Sequence, residues 1–265
     1  MTAIDTTAGT APTVRPNAAR DTWNVLIREL RPVVRDPFSL IFSLLQPLIF
    51  LGLFAPLLIG AFGRPAAETL QWFVPGVLVM IVLFGTGMTG SNLQYEMMTG
   101  SHERTLVAPL SRSSLLVGRA LKEVAPIVAQ ALLIVAIAWP FGFRVHPLGL
   151  IAGLVLLAVF GVGLGSLSYA LALVTKDREW LFWGLQQGLM FPLLILSGML
   201  LPLDAAPGWM RGAAAVNPIN WVVQAERSLM AGAFAEPAVL WGAASAVAVA
   251  VVGLVVGIRA MRRSS

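Results

Sequence analysis

The residues best suited to chemistry cluster in the segment 93–123, between two apolar stretches. It contains Gln94-Tyr95-Glu96, then Thr99-Gly100-Ser101-His102-Glu103-Arg104-Thr105-Leu106, then Ala108-Pro109-Leu110-Ser111-Arg112-Ser113-Ser114, and finally Gly118-Arg119. An active site is hard to build from this set. The two lysines, Lys122 and Lys176, follow Leu121 and Thr175, so the Gly-Lys-Ser/Thr phosphate cradle is missing and ATP hydrolysis by a P-loop is excluded. Cysteine is absent, which removes thiolate metal sites and disulfides. His102 and His146 are too few for a histidine-built metal centre, so no metal site is expected. What the segment offers is mechanical. Gly100 permits a sharp turn, Ser101 can cap a short helix through Leu106, and Pro109 would stop it. A polar helix held at the tip of two membrane helices is a lever; the alternative is a solvated loop with ordinary caps.

A second set lies at 200–229. Leu200-Leu201-Pro202 closes an apolar stretch, Pro207-Gly208 predicts a turn, and Asn217 can cap a helix with Pro218 at its first position. Ile219, Trp221, Val222, Val223 and Leu229 suit an outer membrane interface, while the adjacent Glu226 and Arg227 point in different directions. This helix is either a latch over an exit path or an interfacial packing element. A third set is scattered over otherwise apolar stretches: Thr86, Met88, Gln186, Gln187, Met190, Phe191, Ser197 and Met199. Methionine and aromatic side chains with a few amides suit irregular hydrophobic ligands, and they also occur on ordinary lipid-facing or core helices.

The elements that must position these sets are membrane helices. Of 265 residues, 57% are hydrophobic and 12% charged, about half the charge of an ordinary soluble domain, so lipid must serve as solvent for much of the chain. Six apolar stretches, at about 39–62, 73–92, 124–143, 148–175, 180–201 and 238–258, each reach the roughly 20 residues that a spanning helix needs. Prolines 47, 56, 75 and 192 fall inside them, and Gly153, Gly161 and Gly165 form a small-residue face on the fourth. Residues 1–17 read as a disordered tail. Residues 18–37 read as an amphipathic helix lying in the headgroup layer, with Trp23, Leu26, Ile27, Leu30, Val33 and Val34 on one face and Asn24, Arg28, Glu29, Arg31 and Arg35 on the other. A soluble helix packed on a partner is the alternative. The first strong apolar stretch, near Ser39, begins too late for a cleaved signal peptide, so 38–265 is expected to be the membrane domain.

Charge sets the expected orientation. Of 18 Lys and Arg residues, only Arg64, Arg144, Arg211 and Arg227 fall on one side of such a bundle; the remaining 14 face the other. The positive-inside rule then places both termini in the cytoplasm of a bacterial inner-membrane protein, and the formal charge of +5 needs no nucleic acid to explain it. Within the apolar stretches the polar groups are amides, Gln46, Asn92, Gln130, Gln186 and Gln187, so a proton relay has no evident seat there. Energy for uphill transport must then enter from outside the bilayer.

The run Glu96-x-x-x-Gly100-x-x-Glu103-x-x-Leu106-x-x-Pro109 resembles the cytoplasmic loop of ABC-2-type permeases, and Asn217-Pro218-Ile219-Asn220-Trp221-Val222-Val223-Gln224-Ala225-Glu226-Arg227 resembles the motif ahead of their last membrane helix. The nearest subgroup is the daunorubicin-resistance type, whose permeases pair with a separate ATPase. This resemblance implies an all-α integral membrane protein with six spans, an N-terminal interfacial helix, and an extracellular helical region that partly re-enters the membrane. It further implies that Gly100, Ser101, His102, Glu103, Arg104, Thr105 and Leu106 form a coupling helix seated in the ATPase, with the Arg28 and Arg31 helix as a second contact. ATP and Mg would bind the partner subunit and none would bind this chain. A second permease copy or a paralogue would complete a homo- or heterodimer. Hydrophobic drugs, antibiotics or lipids are the first expectation for cargo, and polysaccharide or glycolipid export is the second. A rival of another class, an intramembrane enzyme, lacks a set of catalytic groups at membrane depth; a non-transporting scaffold remains open.

Overall fold

The computed structural model describes residues 22–23, 25–27, 37–100, 112–176, 178–204 and 206–263. Among them no strand occurs, and the chain is a bundle of helices. We label these α1 (Pro37–Phe62), α2 (Ala66–Met98), α3 (Arg112–Lys122), α4 (Val124–Ala138), α5 (Pro147–Val174), α6 (Glu179–Ile195), α7 (Gly208–Val216), α8 (Pro218–Met230) and α9 (Pro237–Arg263). Prolines open α1, α5, α8 and α9, where the missing N–H costs nothing and the fixed φ is already helical.

Among the described residues, five stretches are long and apolar enough to cross a membrane: Leu44–Phe62, Ala66–Met98, Val117–Phe141, Pro147–Val174 and Pro237–Arg263. The expected span at 180–201 is shorter than its apolar run. Helix α6 has 17 residues and stops at Ile195, because the Ser197 hydroxyl donates to the Leu194 carbonyl and Gly198 takes φ 66°, turning the chain out of the helix. The expected 124–143 span likewise ends early. Pro140 lacks the N–H that would continue it, so α4 passes into a 3-10 turn over Trp139–Phe141, closed by Gly142 at φ 99°. Helix α2 outruns its expected bounds at both ends, with 33 residues. Its polar last turns are tolerated because Gln94 donates to the Thr175 hydroxyl at 3.2 Å.

Two helices were not anticipated. The return limb of the 93–123 segment is helical over α3, and Glu123, in helical geometry, joins it to α4 almost without a break. The turn expected at Pro207-Gly208 instead starts α7.

Helix α5 is the hub. A Cβ on Gly163 would stand 2.6 Å from the Ala250 backbone nitrogen, and one on Gly253 would collide with the Gly163 carbonyl. The α5 and α9 backbones are therefore in direct contact, as small residues allow in membrane bundles. Toward α2, Ser168 of α5 accepts from the Gly90 N–H and donates to the Gly87 carbonyl, both at 3.1 Å. Of the glycines expected to pack closely, Gly153 and Gly161 meet neighbours below ordinary contact distance, whereas Gly165 keeps 3.7 Å. Gly149 and Gly163, which were not singled out, meet backbone rather than side chain, at Leu229 and Ala250.

Gly163→Ala should separate α5 from α9 and lower stability by about 1–3 kcal/mol, the usual cost of an overpacked interior. Gly60→Ala, where an added Cβ meets nothing within 4 Å, should leave stability unchanged or slightly raised. Thermal unfolding of both variants in detergent separates the two outcomes.

Candidate functional site

Among the described residues, two of the regions that gather polar side chains are joined by α2. The first is a cleft of about 410 Å³ between α1, α2, α4 and α6. Its lining includes Met88, Gln186, Gln187 and Phe191 from the expected cavity set. Gln46, Gln130, Phe84 and Trp183 line it as well. Their signal was in the sequence, since Gln46 and Gln130 are amides inside apolar stretches, but only the fold brings four glutamines to one cavity. The Gln186 amide nitrogen lies over Gly87, and the Met190 methyl reaches the same notch. The Gln186 carbonyl oxygen is buried without a hydrogen-bond partner among the described residues.

Three of the expected cavity residues lie elsewhere. Thr86 is 2% exposed, turned toward Gly161 and Gly165 of α5, and donates to the Val82 carbonyl at 2.7 Å. Ser197 is spent on the end of α6. Met199 packs its backbone against Gly76. In each case a short polar or flexible side chain is used to end or pack a helix, which periodicity does not reveal.

The second region lies where α2 ends and α3 begins, on either side of the 101–111 segment that was expected to act as a lever, the elbow. Gly100 has φ 68°, the left-handed conformation that glycine accepts without strain. Ser101, His102, Glu103, Arg104, Thr105 and Leu106 lie outside the described residues, as do Arg28 and Arg31. One turn before the elbow, Glu96 accepts a hydrogen bond from Arg119 of α3 at 2.6 Å. Arg119 is buried, donates to the Tyr169 hydroxyl of α5 at 3.2 Å, and lies over the Tyr169 ring. The two limbs of the elbow and the end of α5 are thus tied at one point. A charge-assisted bond of this kind contributes roughly 1.5–3 kcal/mol. Arg119 was read only as a basic residue of the loop, and nothing in its spacing marks Tyr169 as its partner.

The N-terminal segment reaches this same end. Val25 is 2% exposed and packs on Gly118, within a cluster of Leu93, Tyr169, Ala172, Leu173, Phe182 and Met261. Trp23 and Ile27, on the face expected to lie in the headgroup layer, are exposed. The segment therefore has two apolar faces here, one turned onto the bundle.

At the opposite end, Asn217 caps α8 by accepting from the Ile219 N–H at 3.0 Å, and its amide donates to the Leu193 carbonyl at 2.8 Å. Helix α8 is more enclosed than an outer interfacial helix. Ile219, Val222, Val223, Ala225, Glu226, Ser228, Leu229 and Met230 are all buried, and its neighbours are α2, α5, α7 and α9. Glu226 and Arg227 do diverge. Arg227 lies 4.1 Å from the Trp72 ring centroid and donates to the Trp72 and Gly198 carbonyls. Burial lowers its pKa to about 9, partly offset by Asp204. Glu226 faces Gly153 of α5, is fully buried, and burial raises its pKa to about 8.

A family description, ABC-2 type transporter, matches residues 20–231. The chain is 32% identical over 227 residues to the daunorubicin resistance ABC transporter permease protein DrrB1 of Streptomyces coeruleorubidus, covering 85% of this chain and 80% of that one. It is 32% identical over 200 residues to the putative transport permease ycf38 of Cyanophora paradoxa, covering 74% and 69%. To the probable multidrug ABC transporter permease YbhR of Escherichia coli K12 it is 24% identical over 156 residues, covering 57% and 41%. With its apolar spans and this agreement over most of its length, the chain belongs to the ABC-2 type transporter family and is a multi-pass membrane permease subunit.

Proposed function

We propose that this chain is the membrane half of an ATP-driven exporter, moving hydrophobic drugs, antibiotics or lipids outward by alternating access, with ATP and Mg bound by a separate subunit. One observation carries the reading. Helix α2 is continuous over 33 residues, and it connects the Gly100 elbow at one end with the Met80–Met88 wall of the cleft further along. No proline interrupts α2 between Met80 and Met98, so a force at the Gly100 end is passed along the helix to the cleft wall. The Glu96–Arg119–Tyr169 cluster makes α2, α3 and α5 respond together.

In this reading the basic end faces the cytoplasm, α6 completes six spans, and residues 100–106 sit in the ATPase. The N-terminal helix carrying Arg28 and Arg31 provides a second contact, with Trp23 and Ile27 turned to lipid. Two permease copies, or this chain and a paralogue, enclose the path. Cargo rests on the cleft: Phe84, Trp183 and Phe191 supply apolar contact, and four neutral glutamines supply hydrogen bonds without charge. ATP binding draws the ATPases together and favours the outward state by the difference in binding energy between the two states. The relatives named for daunorubicin resistance and multidrug transport support the cargo class.

Glu103→Lys and Gly100→Pro, purified with the partner ATPase, should retain basal hydrolysis and lose cargo-stimulated hydrolysis about tenfold, the size of a typical coupling free energy. Stimulation at the wild-type level in both variants would refute the elbow as the point of coupling. Glu96→Gln should produce the same uncoupling more weakly. Gln186→Leu should shift the cargo concentration for half-maximal stimulation by up to about tenfold, the net value of one hydrogen bond, with basal hydrolysis intact. An unshifted dose response would place cargo elsewhere.

A further inference from the structure

The apolar stretches carry no acidic or basic residue in their interior, yet the folded bundle encloses a carboxyl group, Glu226, more completely than any other charged side chain among the described residues. Glu226 is 0% exposed, and neither carboxylate oxygen has a hydrogen-bond partner among the described residues. Its oxygen occupies the notch that Gly153 leaves in α5, beside the Met230 methyl. One turn away, Gly149 receives the Leu229 carbonyl in the same way. Helix α8 is therefore fitted to α5 through two glycines, with the carboxyl at the seam.

Among the described residues, no positive group compensates it. Arg227 is turned to Trp72 and Gly198. Helix α5 has no acidic or basic residue, and α9 has none before Arg259. On α2, Glu68 is exposed in the first turn and Glu96 lies at the far end with Arg119. On α7, Arg211 lines a separate pocket with Arg227 and Asp204. His146, at the start of α5, meets Phe234 edge-on, and Glu236 accepts from Ser228. A bare carboxylate in this seam would be strongly unfavourable, whereas a neutral carboxylic acid fits.

We propose that Glu226 is a proton-operated latch: seated uncharged against Gly153 it holds α8 between α2, α5 and α9, and loss of its proton to bulk water frees α8 from α5. The sign follows from the two states. Released, the carboxyl is solvated and ionises near its ordinary value; docked, it keeps its proton to about pH 8. Docking is fully favoured below about pH 4.5, weakens by up to tenfold per pH unit above it, and levels off once the docked form also ionises.

Hydrogen–deuterium exchange of the full-length protein in lipid nanodiscs, corrected for intrinsic exchange rates, tests the latch without the ATPase partner and so independently of the transport reading. Protection of residues 218–230 should fall by at least about tenfold between about pH 5.5 and 8.5 in the wild type. In Glu226→Gln, a neutral isostere, it should stay constant, and in Glu226→Asp it should still fall. Constant protection in the wild type, or an equal fall in Glu226→Gln, would overturn the latch. If Glu226→Gln does not assemble, constant protection in either the wild type or Glu226→Asp does so.

Discussion

Helices immersed in lipid gain nothing from hiding apolar surface from one another, so they must be held by close backbone approach and by polar contacts. The α5–α9 seam meets this constraint at Gly163, Ala250 and Gly253, where two backbones touch. Everything functional is arranged around it. With α9 fixed on one side, α5 offers Ser168 to α2, Gly161 to α4, and Gly149 and Gly153 to α8. The cleft lies on the side of α2 away from this seam, lined from α1, α4 and α6. The least anchored helices therefore bound the cavity, and the most anchored ones form its support.

Much of this was legible in the sequence, and the rest fails for identifiable reasons. Apolar length found the spans, because lipid imposes it directly. The Asn217-Pro218 start of α8 was readable from cap chemistry alone, and so was the turn at Gly100. Helix ends were less legible: Pro140 and Ser197 stop α4 and α6 within apolar runs, since hydropathy says nothing about where the backbone ladder breaks. Helix α3 was hidden because Arg112-Ser113-Ser114 has loop composition, while tertiary contacts with α5 and α9 decide its conformation.

The site was legible by residue type and illegible by partnership. The glutamines that line the cleft stood out as amides among apolar residues, but that Gln46, Gln130, Gln186 and Gln187 meet depends on helix rotation. Thr86 looked like a ligand contact and satisfies its own helix instead. Glu226 and Arg227 looked like an amphipathic surface pair. Their separation, Arg227 onto Trp72 and Glu226 into the α5 notch, follows from a helix enclosed on several sides. The ties at the elbow, Glu96 to Arg119 to Tyr169, join residues up to 73 positions apart in numbering and have no local signature.

The shortness of α6 has a consequence for the surrounding membrane. Its 17 residues rise about 26 Å, less than a hydrocarbon layer of about 30 Å. Leu185, Leu189, Phe191 and Leu193 on this helix are exposed. In the proposed six-span arrangement, acyl chains beside it would compress, or the helix would sit off centre, at a modest cost for each ångström of mismatch. Since α6 is also a wall of the cleft, bilayer thickness would then be a mechanical input to the cavity: thinner lipid would relax that wall, and thicker, sterol-like or long-chain lipid would load it.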